Sequence, residues 1–547
     1  MAHRLPPELW AQIASYLEED GTSLTNSARV CRQWQPIFEQ LIYRSVEVES
    51  EQLQPKSRLL SFSQFQALVS DSNRCRRFSV RRLQYTIIMP YRLPDYEATK
   101  FEGYREQNTI REVNNQAFQK GVSLLFEFLA SWKENSKLTL LLTARGKDGM
   151  LEPETEATAD AEQWQVELDG ERVIAPYRAR FPADEAPMLP QVTCINHLWS
   201  ETRYQGICNS AVLRIAAYCV GLQRLRLDLA GRLRPDHVQY MRERRQVVAS
   251  GLARLPASLR AFECLGTLDH PWSNTLPALD LRFASRVDEL SSSLRILSCN
   301  LRELNLSVLS LDMDFLFPLD DGGNPLPTAS SLYWPYLETI VLSGVPVNLP
   351  SGEWLFDYEL ETGDEESFPD PATGDEIFES PWLSGGYDIS RDKMNTEHFH
   401  RLFISFGYAA RRMPVLRTIS FSLGNLPRTE FRFDSGKKLG SGDSTMSNGE
   451  KPCLRFLSEA AYWPDQRVAD AWGFGLDDVV VEEDQGEESK VALNDWQSAY
   501  EKASSFVSGL TITQKLALIT GSSITTANAT FDALTFLDDD MGPQNSF

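Results

Sequence analysis

Residues 222–229 read LQRLRLDL, and this stretch decides the predicted fold. Leu225, Leu227 and Leu229 alternate with polar residues, so they share one face of a short strand. The same L-x-x-L-x-L spacing, with Ile or Phe at some positions, returns at 301–306 (LRELNL), 337–342 (LETIVL) and 416–421 (LRTISF). Further strands are predicted at 80–89, 138–143 and 259–265, and through 294–311 around the LRELNL stretch.

Helical stretches come before several of these strands, at 117–132, 211–219 and 398–412. Alternation of helices with L-x-x-L-x-L strands is typical of leucine-rich solenoids, in which parallel strands stack and helices cover the outside. The spacing is roughly thirty to eighty residues here, against ~20–29 in regular repeats. The sequence therefore predicts an α/β fold over 49–485, an irregular leucine-rich-like solenoid with mostly parallel strands and outer helices. An ordinary α/β domain with buried parallel strands is the alternative.

Composition restricts the possible functions. The chain has 547 residues, with 76 acidic against 54 basic residues and a net charge of -22. Such a charge disfavours binding of nucleic acid or anionic membrane over a broad surface. No window approaches ~18 consecutive apolar residues, so no membrane span is expected. The N-terminus has no apolar signal core, which predicts a cytoplasmic and/or nuclear protein.

The chemistry-bearing residues are sparse. Eight cysteines show no C-x-x-C spacing, which favours reduced thiols, and there are six histidines. Walker-type, nucleophile-elbow and H-E-x-x-H patterns are absent from the sequence. We therefore expect no cofactor, no metal site and no catalytic residue, and a non-catalytic interaction protein.

Acidic insertions interrupt the predicted solenoid at 148–190 and 351–390, and a Gly/Ser-rich one lies at 436–450. The stretch 353–388 holds twelve carboxylates, no basic residue and seven aromatics, among them Trp354 and Tyr358. Runs of this kind are most often solvated loops. Aromatics among carboxylates could alternatively clamp a basic peptide.

A basic cluster lies beside an early strand, where Arg77, Arg81 and Arg82 follow two further arginines. It could pair with an acidic loop, or accept a phosphorylated segment of a substrate through bidentate contacts. Structural pairing is the favoured interpretation. The candidate substrate-binding residues are Arg77, Arg81, Arg82, Trp354 and Tyr358.

The first 48 residues predict three short helices followed by a strand. Leu9, Ile13 and Leu17 recur every four positions on one helical stripe. A second helix is predicted from about residue 24 through Trp34, a third over 37–42, and a strand over 43–48. Helices this short bury little apolar surface, so an apolar face remains to be covered. That face could cap the next domain or bind a partner protein.

The strings LPPELWAQIASYL, LTNSARVCRQW and LIYRSV, within residues 3–48, resemble an F-box. The resemblance implies docking on a Skp1-like adaptor and, through it, on a cullin ubiquitin ligase. An F-box before a leucine-rich body resembles an F-box class found in filamentous fungi. The acidic turn at 18–23 departs from the family pattern. The docking residues that the resemblance implies are Leu5, Pro6, Leu9, Ile13, Val30, Cys31 and Trp34.

We therefore expect the substrate-recognition subunit of a Skp1–cullin–F-box E3 ubiquitin ligase, with residues 1–48 binding Skp1 and residues 49–485 binding an unknown protein substrate. The alternative is a non-catalytic leucine-rich scaffold that binds Skp1 outside a ligase. A truncated β-glucosidase fusion is a third, disfavoured hypothesis.

The last residues do not follow the leucine pattern. Residues 494–547 resemble the beginning of a fungal family-three β-glucosidase, in which an Asp-rich Gly-Pro loop binds sugar. The resemblance makes Asp538, Asp539 and Asp540 candidates for that role. The barrel, the nucleophile and the acid/base of that family lie much further along and are missing. We expect 486–547 to be an extraneous, poorly ordered tail without glycosidase activity.

Overall fold

The fold is described from a computed structural model of the 547-residue chain. Described are residues 12, 13, 16, 24–30, 34–51, 59–70, 74–90, 109–132, 137–147, 178–182, 188–200, 206–229, 238–266, 278–282, 287–358, 391–424, 429–435, 453–458, 462–475, 479–483, 524–525 and 530–531. Among the helices in these ranges, none is long and apolar enough to span a bilayer.

Thirteen strands form one large sheet. They are β1 (Ser45–Glu49), β2 (Leu60–Ser61), β3 (Arg82–Met89), β4 (Leu138–Gly146), β5 (Ile195–Ser200), β6 (Arg224–Asp228), β7 (Ala261–Leu265), β8 (Glu303–Ser307), β9 (Thr339–Val345), β12 (Thr418–Leu423), β13 (Thr429–Asp434), β14 (Cys453–Ser458) and β15 (Val479–Glu483). Two two-stranded sheets join β10 (Phe356–Tyr358) to β11 (Arg391–Met394) and β16 (Ile524–Thr525) to β17 (Thr530–Phe531).

The order of strands in the large sheet follows the chain almost throughout. From β3 to β15 each strand lies beside its predecessor in the sheet, and β1 lies between β3 and β2 at the edge. All pairs from β2 through β9 to β12 are parallel, whereas β13 runs antiparallel to both of its neighbours. The prediction of an α/β fold is thereby confirmed in coarse form, as a mixed fold with a large, mostly parallel sheet.

Helices connect many of the strands. They are α1 (Leu24–Ala28), α2 (Gln35–Ile42), α3 (Phe62–Leu68), α4 (Arg74–Ser79), α5 (Thr109–Ala130), α6 (Asn209–Ala217), α7 (Val238–Leu252), α8 (Glu289–Ser298), α9 (Thr396–Ala410) and α10 (Gln466–Trp472). Several begin at a side-chain cap: the Asp465 carboxylate, for example, accepts a hydrogen bond from the Val468 N–H at the start of α10.

One face of the sheet builds the core. The alternate residues of neighbouring strands pair in register and are buried, as the leucine spacing predicts. One such row consists of Val46, Leu83, Leu140, Leu198, Leu225, Phe262, Leu304, Ile340 and Ile419. Helices pack on this face: the Tyr85 hydroxyl of β3 donates to the Gly121 carbonyl of α5 at 3.2 Å, and Phe403 of α9 lies 6.2 Å from the Phe421 ring of β12.

The structure corrects two predicted elements. The stretch predicted as strand from residue 294 begins as helix, because Leu290, Leu294 and Leu297 of α8 repeat with helical spacing after the Asp288 cap. In the N-terminal region α1 ends at Ala28, so Val30 and Trp34 lie outside the second helix that the sequence predicts.

The chain divides into two compact units, 1–483 and 484–547. The acidic stretch 148–171, most of 353–388, the loop 436–450 and the helices predicted after residue 494 lie outside the described residues. Predictions on those segments, and the predicted domain limits, stay predictions.

Candidate functional site

The described residues of the N-terminal region form a small core of their own. Leu24 of α1 and Phe38 of α2 are buried against each other, with Leu41 and Trp34 partly buried around them. The Trp34 ring lies 5.6 Å from the Phe38 ring. Within the described residues this cluster is small, and a small core stabilises a fold weakly, so further apolar contacts would add stability to these helices.

Several apolar side chains of the N-terminal region face solvent. Ile13 is 37% exposed, Val30 is 62% exposed, and Tyr16 is exposed as well. Ile13 and Val30 are two of the residues for which adaptor contact is predicted, while Trp34 is half-buried against Phe38.

The remaining predicted adaptor contacts lie outside the described residues: Leu5, Pro6, Leu9 and Cys31. The assignment of docking residues therefore stays a prediction.

An ion pair joins the N-terminal helices to the body of the fold. The Arg76 guanidinium of α4 donates to the Glu39 carboxylate of α2 at 2.8 Å and stacks on the Tyr43 ring at 5.3 Å. The hydrogen bond from Arg76 lowers the pKa of Glu39, against an opposing effect of burial. Because α2 leads directly into β1, this contact fixes the direction in which the N-terminal helices leave the sheet.

The second face of the sheet, here called the open face, is more exposed than the core face. Its rows hold the residues between the buried ones, and most of these are exposed or half-buried. The first row includes Arg82, Thr139, His197 and Arg224 in register, and the second includes Gln84, Leu141, Trp199 and Arg226. Polar and aromatic side chains there can meet a partner without unfolding the core.

Three of these side chains form what we call the arginine–tryptophan patch: Arg82, Trp199 and Arg226. The guanidinium groups of Arg82 and Arg226 lie 5.6 Å and 5.7 Å from the Trp199 ring centroid, within cation–π distance. The indole N–H of Trp199 is buried and has no hydrogen-bond acceptor within the described part of the chain. Trp and Arg are the residue types that most often dominate binding energy at protein interfaces.

Carboxylates border this patch on two sides. Glu263 on β7 lies 3.4 Å from Arg226, and Glu303 on β8 accepts a hydrogen bond from Arg224 at 2.5 Å. On the other side, Glu47 of β1 is exposed. Burial, together with nearby positive charge, lowers the pKa of His197, so this ring is neutral at pH 7 and adds no charge.

The structure places the five predicted substrate-binding residues very differently. Arg77 is 5% exposed; its Nε donates to the Val69 carbonyl at 3.2 Å, and its guanidinium stacks on Trp132. Trp354 is 8% exposed. Burial weighs against substrate contact by these two residues. Arg81 and Arg82 are exposed, and Tyr358 ends β10.

Sequence reasoning missed Trp199 and Arg226, which the sheet brings to Arg82. The available signal was the alternation in 224–228 (RLRLD), where arginines occupy the positions between the buried leucines. Which of these arginines lies near Arg82 depends on the order of the strands in the sheet. The sequence pattern does not determine that order.

The described residues offer little for covalent or metal chemistry. They hold no group of three or more His, Cys, Asp or Glu side chains placed to bind a metal ion. Burial raises the pKa of the Cys194 and Cys264 thiols to about 12, so both are protonated and unreactive at neutral pH. The arrangement instead suits non-covalent binding at two surfaces, the N-terminal apolar side chains and the open face.

Comparison with known proteins supports the sequence resemblances. A 57-residue stretch is 68% identical to the probable beta-glucosidase D of Aspergillus niger, covering 10% of this chain and 8% of that protein. The corresponding protein of Aspergillus oryzae is 63% identical over 57 residues, again 10% of this chain and 8% of that protein. The protein of Emericella nidulans is 62% identical over 56 residues, 10% of this chain and 7% of that protein.

The chain thus spans about 8% of the length of the curated relatives it matches. The resemblance of 494–547 to the beginning of a fungal β-glucosidase is confirmed, for this short stretch alone. No solved structure matches the chain. Residues 2–47 match the F-box-like family model, so the chain carries an F-box-like domain at its N-terminus.

Proposed function

We propose that this chain is the substrate-recognition subunit of a Skp1–cullin–F-box ubiquitin ligase. In this proposal the F-box-like domain binds a Skp1-like adaptor, and the body binds a target protein. The chain makes and breaks no bond; it holds a target lysine near a ubiquitin-loaded enzyme, so its contribution is proximity. A protein with this role would work in the cytoplasm and/or the nucleus.

The observation that carries the proposal is the F-box-like match at 2–47. The exposed side chains of Ile13 and Val30 support it, because these positions correspond to adaptor contacts in the family pattern. Complete burial of a fully exposed side chain of this size contributes about 1.5–3 kcal/mol, and Ile13 and Val30, at 37% and 62% exposed, would each contribute part of that on binding. A module whose described residues form a small core around Leu24 and Phe38 gains stability from such a partner.

Attachment of the module to the sheet supports the same role. The Glu39–Arg76 ion pair and the direct passage from α2 into β1 limit rotation of the N-terminal helices against the body. A rigid connection keeps a bound target at a fixed distance from the ligase, which proximity catalysis requires.

We further propose that the body is an irregular leucine-rich-like solenoid. The sequential strand order from β3 to β12 and the buried in-register rows support this interpretation. In such a solenoid the open face is the extended surface available for a target.

The experiment that tests adaptor binding is a pull-down of the full chain with purified Skp1-like adaptor. The double variant Ile13→Asp, Val30→Asp should lose capture, because two charges would enter an apolar interface. The control is Val287→Asp, which alters an equally exposed valine outside the F-box-like domain. Capture that survives the double substitution would refute the docking assignment.

Recovery of a cullin in the same pull-down separates a ligase subunit from a scaffold that binds Skp1 alone. For the tail we propose no glycosidase activity, since retaining hydrolysis needs two carboxylates held ~5–5.5 Å apart on a catalytic scaffold. Hydrolysis of an aryl glucoside by the pure chain, abolished by truncation after residue 490, would contradict this.

A further inference from the structure

The arginine–tryptophan patch occupies a basic strip on an acidic protein. On β3 to β6, the first two rows of the open face contain Arg82, Arg224 and Arg226 and no carboxylate. The whole chain has a net charge of -22, so this strip is a strong local exception. Carboxylates delimit it at β1 and at β7 and β8, where Glu47, Glu263 and Glu303 lie.

The two arginines approach Trp199 from opposite directions. Arg82 lies on β3 and Arg226 on β6, three strand spacings apart, or about 14 Å between backbones at ~4.8 Å per strand. Both side chains reach inward to the indole on β5. Because each guanidinium carbon lies within 5.7 Å of the same indole centroid, the two charges are at most about 11 Å apart, a distance that two carboxylates a few residues apart on one extended peptide can span.

The existing ion pairs leave N–H donors of Arg82 and Arg226 available to a ligand. Arg82 is exposed and pairs with no carboxylate among the described residues. Arg226 meets Glu263 through one contact of 3.4 Å, with 40% and 31% of the two side chains exposed. A guanidinium has five N–H donors in a fixed fork, so each arginine retains donors for an incoming carboxylate.

We propose that the arginine–tryptophan patch binds an extended acidic segment of a partner protein, with at least two Asp or Glu carboxylates spaced to reach Arg82 and Arg226. The Trp199 indole, which lies within 5.7 Å of both guanidinium groups, positions the two arginines for this contact. Carboxylates suit this site because Arg226 already contacts one carboxylate, that of Glu263, and because two cationic groups can bind two carboxylates of one segment. The inference rests on the proposed function in one respect, that the body is the target-binding part.

Fluorescence anisotropy with labelled peptides tests the proposal on the full chain. The probe is the peptide (Glu-Ser)4, and (Gln-Ser)4 is its neutral counterpart. The acidic peptide should bind at least about tenfold more tightly than the neutral one, and raised salt should weaken this preference. Binding of both peptides with equal affinity would overturn the proposal.

Substitutions locate the site. Arg82→Gln and Arg226→Gln should each weaken binding about fivefold, as expected for one exposed charge-assisted contact. Glu263→Gln should tighten binding about twofold, because it removes the carboxylate that competes for Arg226. Arg432→Gln is the matched control: Arg432 is an exposed arginine of β13 that pairs with Asp434, and its loss should change affinity less than twofold. Unchanged binding in both patch variants would place the peptide elsewhere.

Other occupants of this face give distinct results. A (Gln-Ser)4 peptide with two phosphoserines has a similar net charge, and a tenfold preference for it over (Glu-Ser)4 would overturn the choice of carboxylates. Peptide binding that appears only after removal of 360–388 would assign the face to this chain's own acidic insertion. A dimer in light scattering that Arg82→Gln dissociates would assign it to a second copy.

Adaptor binding of the same variants separates the two proposals. Arg82→Gln and Arg226→Gln should retain capture of the Skp1-like adaptor, and Ile13→Asp should retain the acidic peptide. If adaptor capture fails in the unaltered chain while the peptide still binds, the ligase proposal falls and the peptide site stands.

Discussion

Arg245 and Asp288 show how single residues stabilise the junction between α7 and α8. The Arg245 guanidinium donates two hydrogen bonds to Asp288, at 3.1 Å and 2.6 Å, and a third to the Ser310 carbonyl at 3.0 Å. Both side chains are buried. Burial alone would raise the pKa of Asp288, but the charge and hydrogen bonds of Arg245 hold it below its ordinary value. The carboxylate also caps α8, since it accepts a hydrogen bond from the Ser291 N–H.

Arg245→Ala should lower the free energy of unfolding by about 3–5 kcal/mol, because Asp288 would remain buried without its cation. Chemical denaturation of the full chain measures this. Arg302→Ala is the control, since Arg302 is exposed and its loss should cost no more than about 0.5 kcal/mol. Equal effects of the two substitutions would contradict the account of the pair.

Asp312 gives the fold a pH dependence near neutrality. Burial, with the neighbouring Asp288 and Asp314, raises the pKa of Asp312 to about 7 despite Arg245 and Arg282 nearby. Between its unfolded value near 4 and this folded value, the folded chain binds a proton that the unfolded chain releases. The stability that the protonated Asp312 carboxyl contributes to the fold is therefore fully present below pH 4, and it is lost as the pH rises from about 4 through 7.

Asp312→Asn should accordingly stabilise the chain at pH 8, by roughly 2–4 kcal/mol, and leave its stability at pH 4 unchanged. Thermal unfolding of both proteins across this range checks the prediction. A stability difference that does not vary with pH would show that Asp312 does not titrate as described.

At the scale of elements, the leucine spacing predicts strands well where strands are regular. The stretches at 225, 304, 340 and 419 lie in β6, β8, β9 and β12 with the buried face expected. Sequence reasoning missed β5, where Ile195 and Leu198 break the alternation because the β4–β5 register shifts at Leu138. Sequence reasoning also predicted a strand where α8 lies. The Asp288 cap is the sequence signal that indicates a helix there.

The two candidate sites also differ in how far the sequence alone can predict them. Ile13 and Val30 can be named from the sequence as predicted adaptor contacts, because the F-box pattern is local in sequence. The arginine–tryptophan patch cannot be named in this way, because its members come from β3, β5 and β6 and meet only through the strand order.

Packing between α9 and α10 depends on one glycine. A Cβ atom at Gly407 would lie 2.7 Å from the Trp472 ring and 2.8 Å from backbone atoms of α10. Gly407→Ala should destabilise the chain by about 1–3 kcal/mol, even though alanine favours helix by about 1 kcal/mol. Denaturation of this variant can be compared with Gly473→Ala. Gly473 has a φ of +78° and nothing within 4 Å of a Cβ, so its cost of about 1 kcal/mol should come from backbone conformation alone. A more stable Gly407→Ala variant would contradict the close approach.

At the scale of the whole molecule, the F-box-like domain leads into β1, which lies near one edge of the large sheet. All thirteen strands of the sheet come from residues before 484. A chain ending at residue 490 should therefore keep its melting temperature within about 2 °C and its adaptor affinity within about twofold. Calorimetry and adaptor titration measure both. A truncated chain that fails to fold would make 491–547 part of the structural unit.

Titration of purified Skp1-like adaptor into the full chain, by isothermal calorimetry at several temperatures, tests the central claim most directly. The account predicts a 1:1 complex with a negative heat-capacity change, the marker of apolar burial, and loss of that complex in the Ile13→Asp, Val30→Asp variant. Absence of binding by the unaltered chain, or equal affinity in the double variant, would contradict it.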